Sequence, residues 1–185
     1  MAENPDMGKH NDPEVLYLVP FDQLSTGVLK KIGEALKEQL HLEYHIMPSE
    51  KIPGSSFNPQ RRQYHSPDFL NVLAEKYAAP GRRVLGIVDK DLYVPELNFV
   101  FGQADMRDKA AVISLARLRQ GFYSLPEDQE LFERRSLTEA VHELGHTYRL
   151  PHCKSPHCVM FFSNSLRDTD RKGYRFCAGC LKRME

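Results

Sequence analysis

The chain has 185 residues, of which 41% are hydrophobic and 27% charged, enough apolar material for one domain with a sizeable core. Its 25 basic residues balance 25 acidic ones, so the composition offers no electrostatic footprint for nucleic acid or an anionic membrane surface. No apolar run approaches the ~20 residues that span a bilayer, and residues 1–13 are polar, without the apolar core of a secretory signal. The expectations are a flexible leader over 1–13, a cytoplasmic location and, by default, a monomer.

Glu14 to Pro20 is a short apolar run stopped by proline, the pattern of a strand buried on both faces. From Asp22 or Ser25 to about Leu40, Leu29, Ile32, Leu36 and Leu40 recur at helical spacing between Lys30, Lys31, Glu34, Lys37 and Glu38, which predicts an amphipathic helix. Leu42 to Met47 alternates with Glu43 and His45 and ends at Pro48, a second strand reached by a right-handed crossover. Ser49 to Ser66 has no sustained period and reads as a long surface loop with a solvated Arg61-Arg62 pair. Ser66 and Pro67 suit the cap and first turn of a helix through Phe69, Leu70, Leu73 and Tyr77, ended by Pro80-Gly81.

Arg83 to Asp89 is a third strand. Asp89 and Asp91, at the start of the next loop, could bind a cation, but a loop cap is preferred. Leu97 to Ala104 carries aromatic and β-branched residues around Gly102, which reads either as a strand closely approached by other backbone or as a core strand with a bulge. Ala111 to Leu115 is the fifth strand, followed by Arg117 and Arg119, solvated or paired with acids. Leu125-Pro126-Glu127 opens a long helix with Glu127, Asp128 and Glu130 where the dipole favours anions. It is expected to run to about Arg149, with Leu131, Leu137, Ala140, Val141 and Leu144 facing the sheet.

On that helix His142 and His146 lie one turn apart on one face, the spacing at which both imidazoles reach one tetrahedral zinc. Glu143 between them is placed to take a proton from a water at the metal. His152, six residues after His146, must come from beyond the helix, and a tight turn over Arg149 to Pro151 would return it as third ligand. Cys153, Cys158, Cys177 and Cys180, with eighteen residues between the middle two, could be two disulfides in a secreted protein. Without a signal, a structural zinc bound by four thiolates is the better reading, in preference to His157 replacing one of them. Neighbouring side chains in extended backbone point to opposite sides, so His152 and Cys153 would each face one metal and share a strut. Two zinc ions per chain are therefore expected.

The pattern His142-Glu143-x-x-His146 with His152 resembles that of the metzincin zinc peptidases. His152-Cys153, then Cys158-Val159-Met160, then Phe176-Cys177-Ala178-Gly179-Cys180, resembles the archaemetzincin family. Weaker similarity extends through Gly86 to Ala104 and Ser114 to Leu118. The resemblance implies an α/β fold of the metzincin α+β kind, with a twisted, mixed five-stranded sheet, a long active-site helix packed on it and a small zinc-stapled C-terminal subdomain. Residues 14–151 would form the first part and 152–185 the second. It also implies that Leu97 to Ala104 is an antiparallel edge strand that pairs with extended peptide substrate, and that Met160 is a hydrophobic floor under the catalytic zinc, its alternative being plain core filler.

The chain departs from the family pattern at two positions. Phe162 stands where several metzincins have a tyrosine that assists the transition state; Tyr148, Tyr174 or Arg175 would have to supply that help. Arg149 stands where the pattern has glycine at a left-handed turn, so the turn is expected to be strained or reshaped. The leading function is a zinc-dependent peptidase with Glu143 as general base. The alternative is a zinc-stabilised peptide-binding module with little or no turnover. A nucleic-acid zinc ribbon using Arg167, Arg171, Lys172, Arg175, Lys182 and Arg183 ranks last, because the whole chain is neutral.

Overall fold

Apolar runs of the predicted strands assemble into one sheet in the computed structural model, which describes residues 14–184. The leader expected over 1–13 lies outside the described residues. The first strand, β1 (Val15–Phe21), leads through α1 (Thr26–Leu40) to β2 (Glu43–Ile46), parallel to it. Then come β3 (Phe57–Asn58), β4 (Gln63–His65), α2 (Ser66–Tyr77), β5 (Arg82–Val88), β6 (Leu92–Tyr93), β7 (Gly102–Asp105) and β8 (Ala110–Ser114). The C-terminal part holds α3 (Gln129–Thr147), α4 (Leu166–Lys172) and α5 (Ala178–Met184).

The main sheet has five strands in the order β2-β1-β5-β8-β7, parallel except for β7, which runs antiparallel to β8 at the edge. It is covered on both faces, which is why its strands read as continuous apolar runs. Leu16, Leu18, Leu85, Ile87, Ala111 and Ile113 point to the side of α1 and α3. Val19, Phe21, Val84, Val88, Ala110 and Val112 point to the side of α2, against Phe69, Leu70 and Leu73.

Three local expectations are corrected. The loop expected over 49–66 contains β3 and β4, which join β6 in a second, three-stranded sheet; strands of two or three residues are too short to show a period. Ser66 does not cap α2: the N-cap is His65, without a side-chain bond, while Ser66 Oγ donates to Gln103 Oε1 at 2.7 Å. The long helix starts after Pro126, because the Asp128 carboxylate is the group that accepts from Leu131 N–H at 2.9 Å.

One buried cation ties the sheet to the end of α3. Arg83, 4% exposed, donates to Glu14 from Nε at 2.8 Å and to Thr147 Oγ1 from Nη1 at 2.7 Å. Its Cζ lies 3.3 Å from the centre of the Tyr148 ring. Burial opposes ionisation of Glu14, but hydrogen bonds from Lys109 and Arg83 prevail and hold its carboxyl below the usual range. Replacing Arg83 by Met leaves Glu14 short of a partner and loosens the last turn of α3. We expect Arg83→Met to lower unfolding free energy by about 3 kcal/mol in denaturant titration; a change below ~0.5 kcal/mol would show the tie to be dispensable.

Candidate metal centre and active site

Helix α3 is buried on nearly every side: Phe132, Ala140, Val141 and Leu144 meet the core, and so do Arg135, Ser136, Thr138, Glu139, His142 and Glu143. Its charged residues therefore need partners inside the protein. Arg135 forks onto Asp170 with two bonds of 2.7 Å. Glu139 accepts from Thr169 Oγ1 at 2.8 Å and pairs with Lys172, whose side chain is 0% exposed. Lys172 also donates to Phe161 O at 3.3 Å. It is thus unavailable to a phosphate backbone, which removes it from the basic set of the nucleic-acid reading.

The helix ends at Thr147 in a reversing turn. Arg149 N–H donates to His146 O at 2.8 Å and Leu150 N–H reaches Gly145 O at 3.3 Å, the bonding pattern of a Schellman motif. That motif needs a left-handed residue, and Arg149 has φ 63°, so the chain keeps the turn despite lacking glycine. Leu150 is 1% exposed, its side chain in the core that holds Leu144.

Beyond the turn, His152 returns to the other two histidines. Ring centroids lie 4.8 Å apart for His142–His146, 5.4 Å for His142–His152 and 4.8 Å for His146–His152. One nitrogen from each falls within 4.8 Å of the others. Val159 O lies 2.6 Å from His142 Nδ1 and Leu150 O lies 2.8 Å from His146 Nδ1. A carbonyl can only accept, so each Nδ1 carries the proton and each Nε2 keeps a lone pair. Burial lowers the pKa of all three, most strongly at His142, so they are neutral at pH 7, the form that binds metal.

Glu143 is 6% exposed. Burial pushes its carboxyl up to about 8, with the Glu139 charge adding and Lys172 opposing. A cation among the histidines would pull it back down. Its side chain lies directly on the edge strand: a Cβ on Gly102 would come within 2.5 Å of Glu143 Cγ. Gly102 is thus a point of close approach, by the Glu143 side chain as well as by Val112 backbone. Met160, fully buried, packs on Gly145, where a Cβ would collide with its sulfur.

Cys153, Cys158, Cys177 and Cys180 form a second cluster within 4.8 Å. The Sγ–Sγ distances of 3.9 Å for Cys153–Cys177 and 3.7 Å for Cys158–Cys180 are far from a disulfide. Thiolates ~2.3 Å from a tetrahedral centre are ~3.8 Å apart, so the donor set fits zinc. The Cys180 backbone N–H holds the Cys177 thiol down to about 7, while burial pushes Cys158 and Cys180 up. His157 is exposed and outside this cluster. Adjacent residues His152 and Cys153 belong one to each cluster.

A family model described as Peptidase family M54 matches residues 70–185. The archaemetzincin of Methanocaldococcus jannaschii is 40% identical over 164 residues, covering 89% of this chain and 87% of that protein. The archaemetzincin of Pyrococcus furiosus is 37% identical, over 93% of each chain. The chain belongs to the archaemetzincin family. It is a zinc metallopeptidase. The crystal structure of the Methanopyrus kandleri archaemetzincin matches with a TM-score of 0.81 at 36% identity, covering 96% of this chain and 97% of that one. The Archaeoglobus fulgidus archaemetzincin, complexed with malonate, matches with a TM-score of 0.78 at 34% identity, covering 91% and 98%.

A cleft of about 180 Å³ opens beside His142 and Glu143, between residues 97–102 and 162–164. The strand expected over Leu97 to Ala104 enters the sheet only from Gly102, and a network from the small sheet explains why. Arg61 Nη2 donates to Leu97 O at 2.6 Å and Asn98 O at 3.1 Å, and Gln63 Nε2 donates to Asn98 O at 2.8 Å. Val100 pairs with Leu92 instead of continuing β7. Residues 97–100 are thereby drawn off the sheet into a wall of the archaemetzincin cleft, while Phe101 O still accepts from Ser114 N–H of β8 at 2.8 Å, and Arg61 is engaged, not solvated. Asp89 and Asp91, expected as a loop cap, are instead engaged by arginines: Asp89 bonds Arg119 at 3.0 Å and Asp91 bonds Arg117 at 2.6 and 2.8 Å.

These features yield two expected outcomes. Arg149→Gly should raise stability by about 1 kcal/mol in denaturant titration and bind catalytic zinc at least as tightly in chelator competition; a clear loss of affinity would contradict the left-turn account. Arg61→Ala should raise the KM for peptides roughly 3- to 10-fold with zinc content unchanged, since charge-assisted bonds to two wall carbonyls are lost; an unchanged KM would show that the wall stands without them.

Proposed function

We propose that the chain hydrolyses peptide bonds with His142, His146 and His152 holding one zinc ion and Cys153, Cys158, Cys177 and Cys180 holding a second. The observation that carries this reading is the pair of carbonyl bonds at His142 Nδ1 and His146 Nδ1, which commit both Nε2 lone pairs to the point where His152 arrives. Zinc bound there supplies a Lewis acid that polarises the scissile carbonyl and acidifies water. Glu143 takes the proton of the attacking water and passes it to the leaving amine. Its burial beside the histidines and its contact with Gly102 support this role, because both keep the carboxylate at the cleft.

Met160, packed on Gly145 beneath the histidine-bearing turn, serves as the apolar floor. Phe162 cannot donate a hydrogen bond, and its ring lies against that of His152 instead, the centroids 4.9 Å apart. The peptide runs along β7, whose only ladder partner among the described residues is β8, by strand addition to the free edge. All proposed ligands come from one chain, so the reading needs no second subunit. Residues 14–151 form the sheet-bearing part and the chain from 152 onward the cysteine-stapled part. Four free thiols accord with a reducing cytoplasmic setting, and among the described residues no helix is long and apolar enough to cross a membrane.

The test is zinc content of the parent and of His146→Ala, followed by peptide-library cleavage by the parent and Glu143→Ala. We expect two zinc ions to fall to one, and cleavage to fall about 10²-fold or more without Glu143. Cleavage that survives in Glu143→Ala would overturn the role given to Glu143, and a parent that cleaves nothing would overturn hydrolysis and leave peptide binding as the function.

A further inference from the structure

We propose that Ser163 is a specificity-determining residue of the cleft, its hydroxyl pairing with a hydrogen-bonding side chain of the peptide substrate. The kinetic part of this proposal rests on the peptidase reading above; its stability part does not.

The cleft is walled mainly by apolar groups, Phe99, Val100, Phe101 and Phe162 among them. Of its polar side chains, Glu139 is already engaged by Thr169 and Lys172. Ser163 differs. Its Oγ is buried and has no hydrogen-bond partner among the described residues. Buried hydroxyls in folded proteins are almost always paired, and one left unpaired opposes folding.

The backbone around Ser163 gives it little freedom to escape. Phe161 N–H donates to Cys158 O at 2.8 Å, and Phe161 O accepts from buried Lys172 at 3.3 Å. On the other side Asn164 N–H donates to Asp168 Oδ2 at 3.2 Å, and Ser165 caps α4. With both flanks anchored, the hydroxyl stays at the cleft wall, where rotation about χ1 between staggered positions is its remaining freedom, and pairing with substrate requires the one that turns it into the cleft. A hydroxyl both donates and accepts. A substrate side chain such as Asn, Gln or Thr would satisfy it, whereas an apolar isostere would leave it unpaired. Discrimination of roughly 3- to 10-fold is what one neutral hydrogen bond gives.

The experiment compares the zinc-loaded parent with Ser163→Ala. Peptides on one scaffold carry Leu or Asn, and Val or Thr, at each position flanking the cleaved bond, and kcat/KM is measured for each. At one position the parent should favour the polar member roughly 3- to 10-fold, and Ser163→Ala should lose that ratio. In parallel, Ser163→Ala should melt at or above the parent temperature with unchanged zinc content, because it removes an unpaired polar atom. Affinity of the same peptides for Glu143→Ala protein, read by fluorescence anisotropy, repeats the ratio without turnover, with Glu143→Ala/Ser163→Ala as its control. A parent that cleaves nothing counts against the peptidase reading, while the affinity ratio still decides on Ser163. The proposal is overturned if Ser163→Ala melts below the parent, if it keeps the parent's ratio, or if the parent shows no polar preference at any position.

Discussion

Leu150 is held by both of its backbone groups, and the metal centre depends on that double hold. Its N–H closes the final turn of α3 onto Gly145 O, and its carbonyl accepts from His146 Nδ1. The same residue therefore ends the helix, reverses the chain and orients one of the imidazoles. Its buried side chain anchors the reversal in the core that fixes α3 against the sheet. Arg149 occupies the left-handed position that makes this possible, at a cost of ~1 to 2 kcal/mol relative to glycine. Core burial of Leu150 and the bonds of the motif hold a non-glycine residue there.

The cysteine cluster supports the histidines from two directions. Cys153 is the neighbour of His152, and its N–H donates to Met160 O at 2.8 Å. Cys158 precedes Val159, whose carbonyl orients His142. Closing the four thiols on one ion would thus fix the backbone on both sides of the histidine site, at His152 and at Val159. Glu143 is set by a different agent, the edge of the sheet, where Gly102 leaves room for its side chain. The proposed metal ligands and the proposed acid–base group are in this way supported by separate parts of the fold that meet along one face of α3.

Much of this was legible in the sequence because it is local. The His142, Glu143, His146 and His152 spacing, the cysteine spacings and the left-handed demand on Arg149 are all set within a few residues, and continuous apolar runs announced a sheet covered on both faces. What stayed hidden depends on partners far along the chain. Arg135, Glu139 and Lys172 look like exposed helix charges until Asp170 and Thr169 are brought against α3, some thirty residues away. Recurrence of 135, 139 and 143 on the histidine-bearing side was a signal that this face is not simply solvated. The wall over 97–100 reads as strand by composition, yet Arg61, 36 and 37 residues distant, takes two of its carbonyls. Ser163 carries no signal at all in sequence, since a lone serine after two phenylalanines fits any turn.

If closing the cysteine cluster on an ion holds the histidine site in shape through His152 and Val159, losing that ion must weaken metal binding at the histidines. The most direct measurement is the affinity of the catalytic zinc in Cys177→Ser, determined by chelator competition on protein that has lost the structural ion and remains folded by circular dichroism. The affinity should fall about tenfold or more relative to the parent, as for loss of groups that orient metal ligands. An unchanged affinity in a folded protein without the second zinc would contradict it.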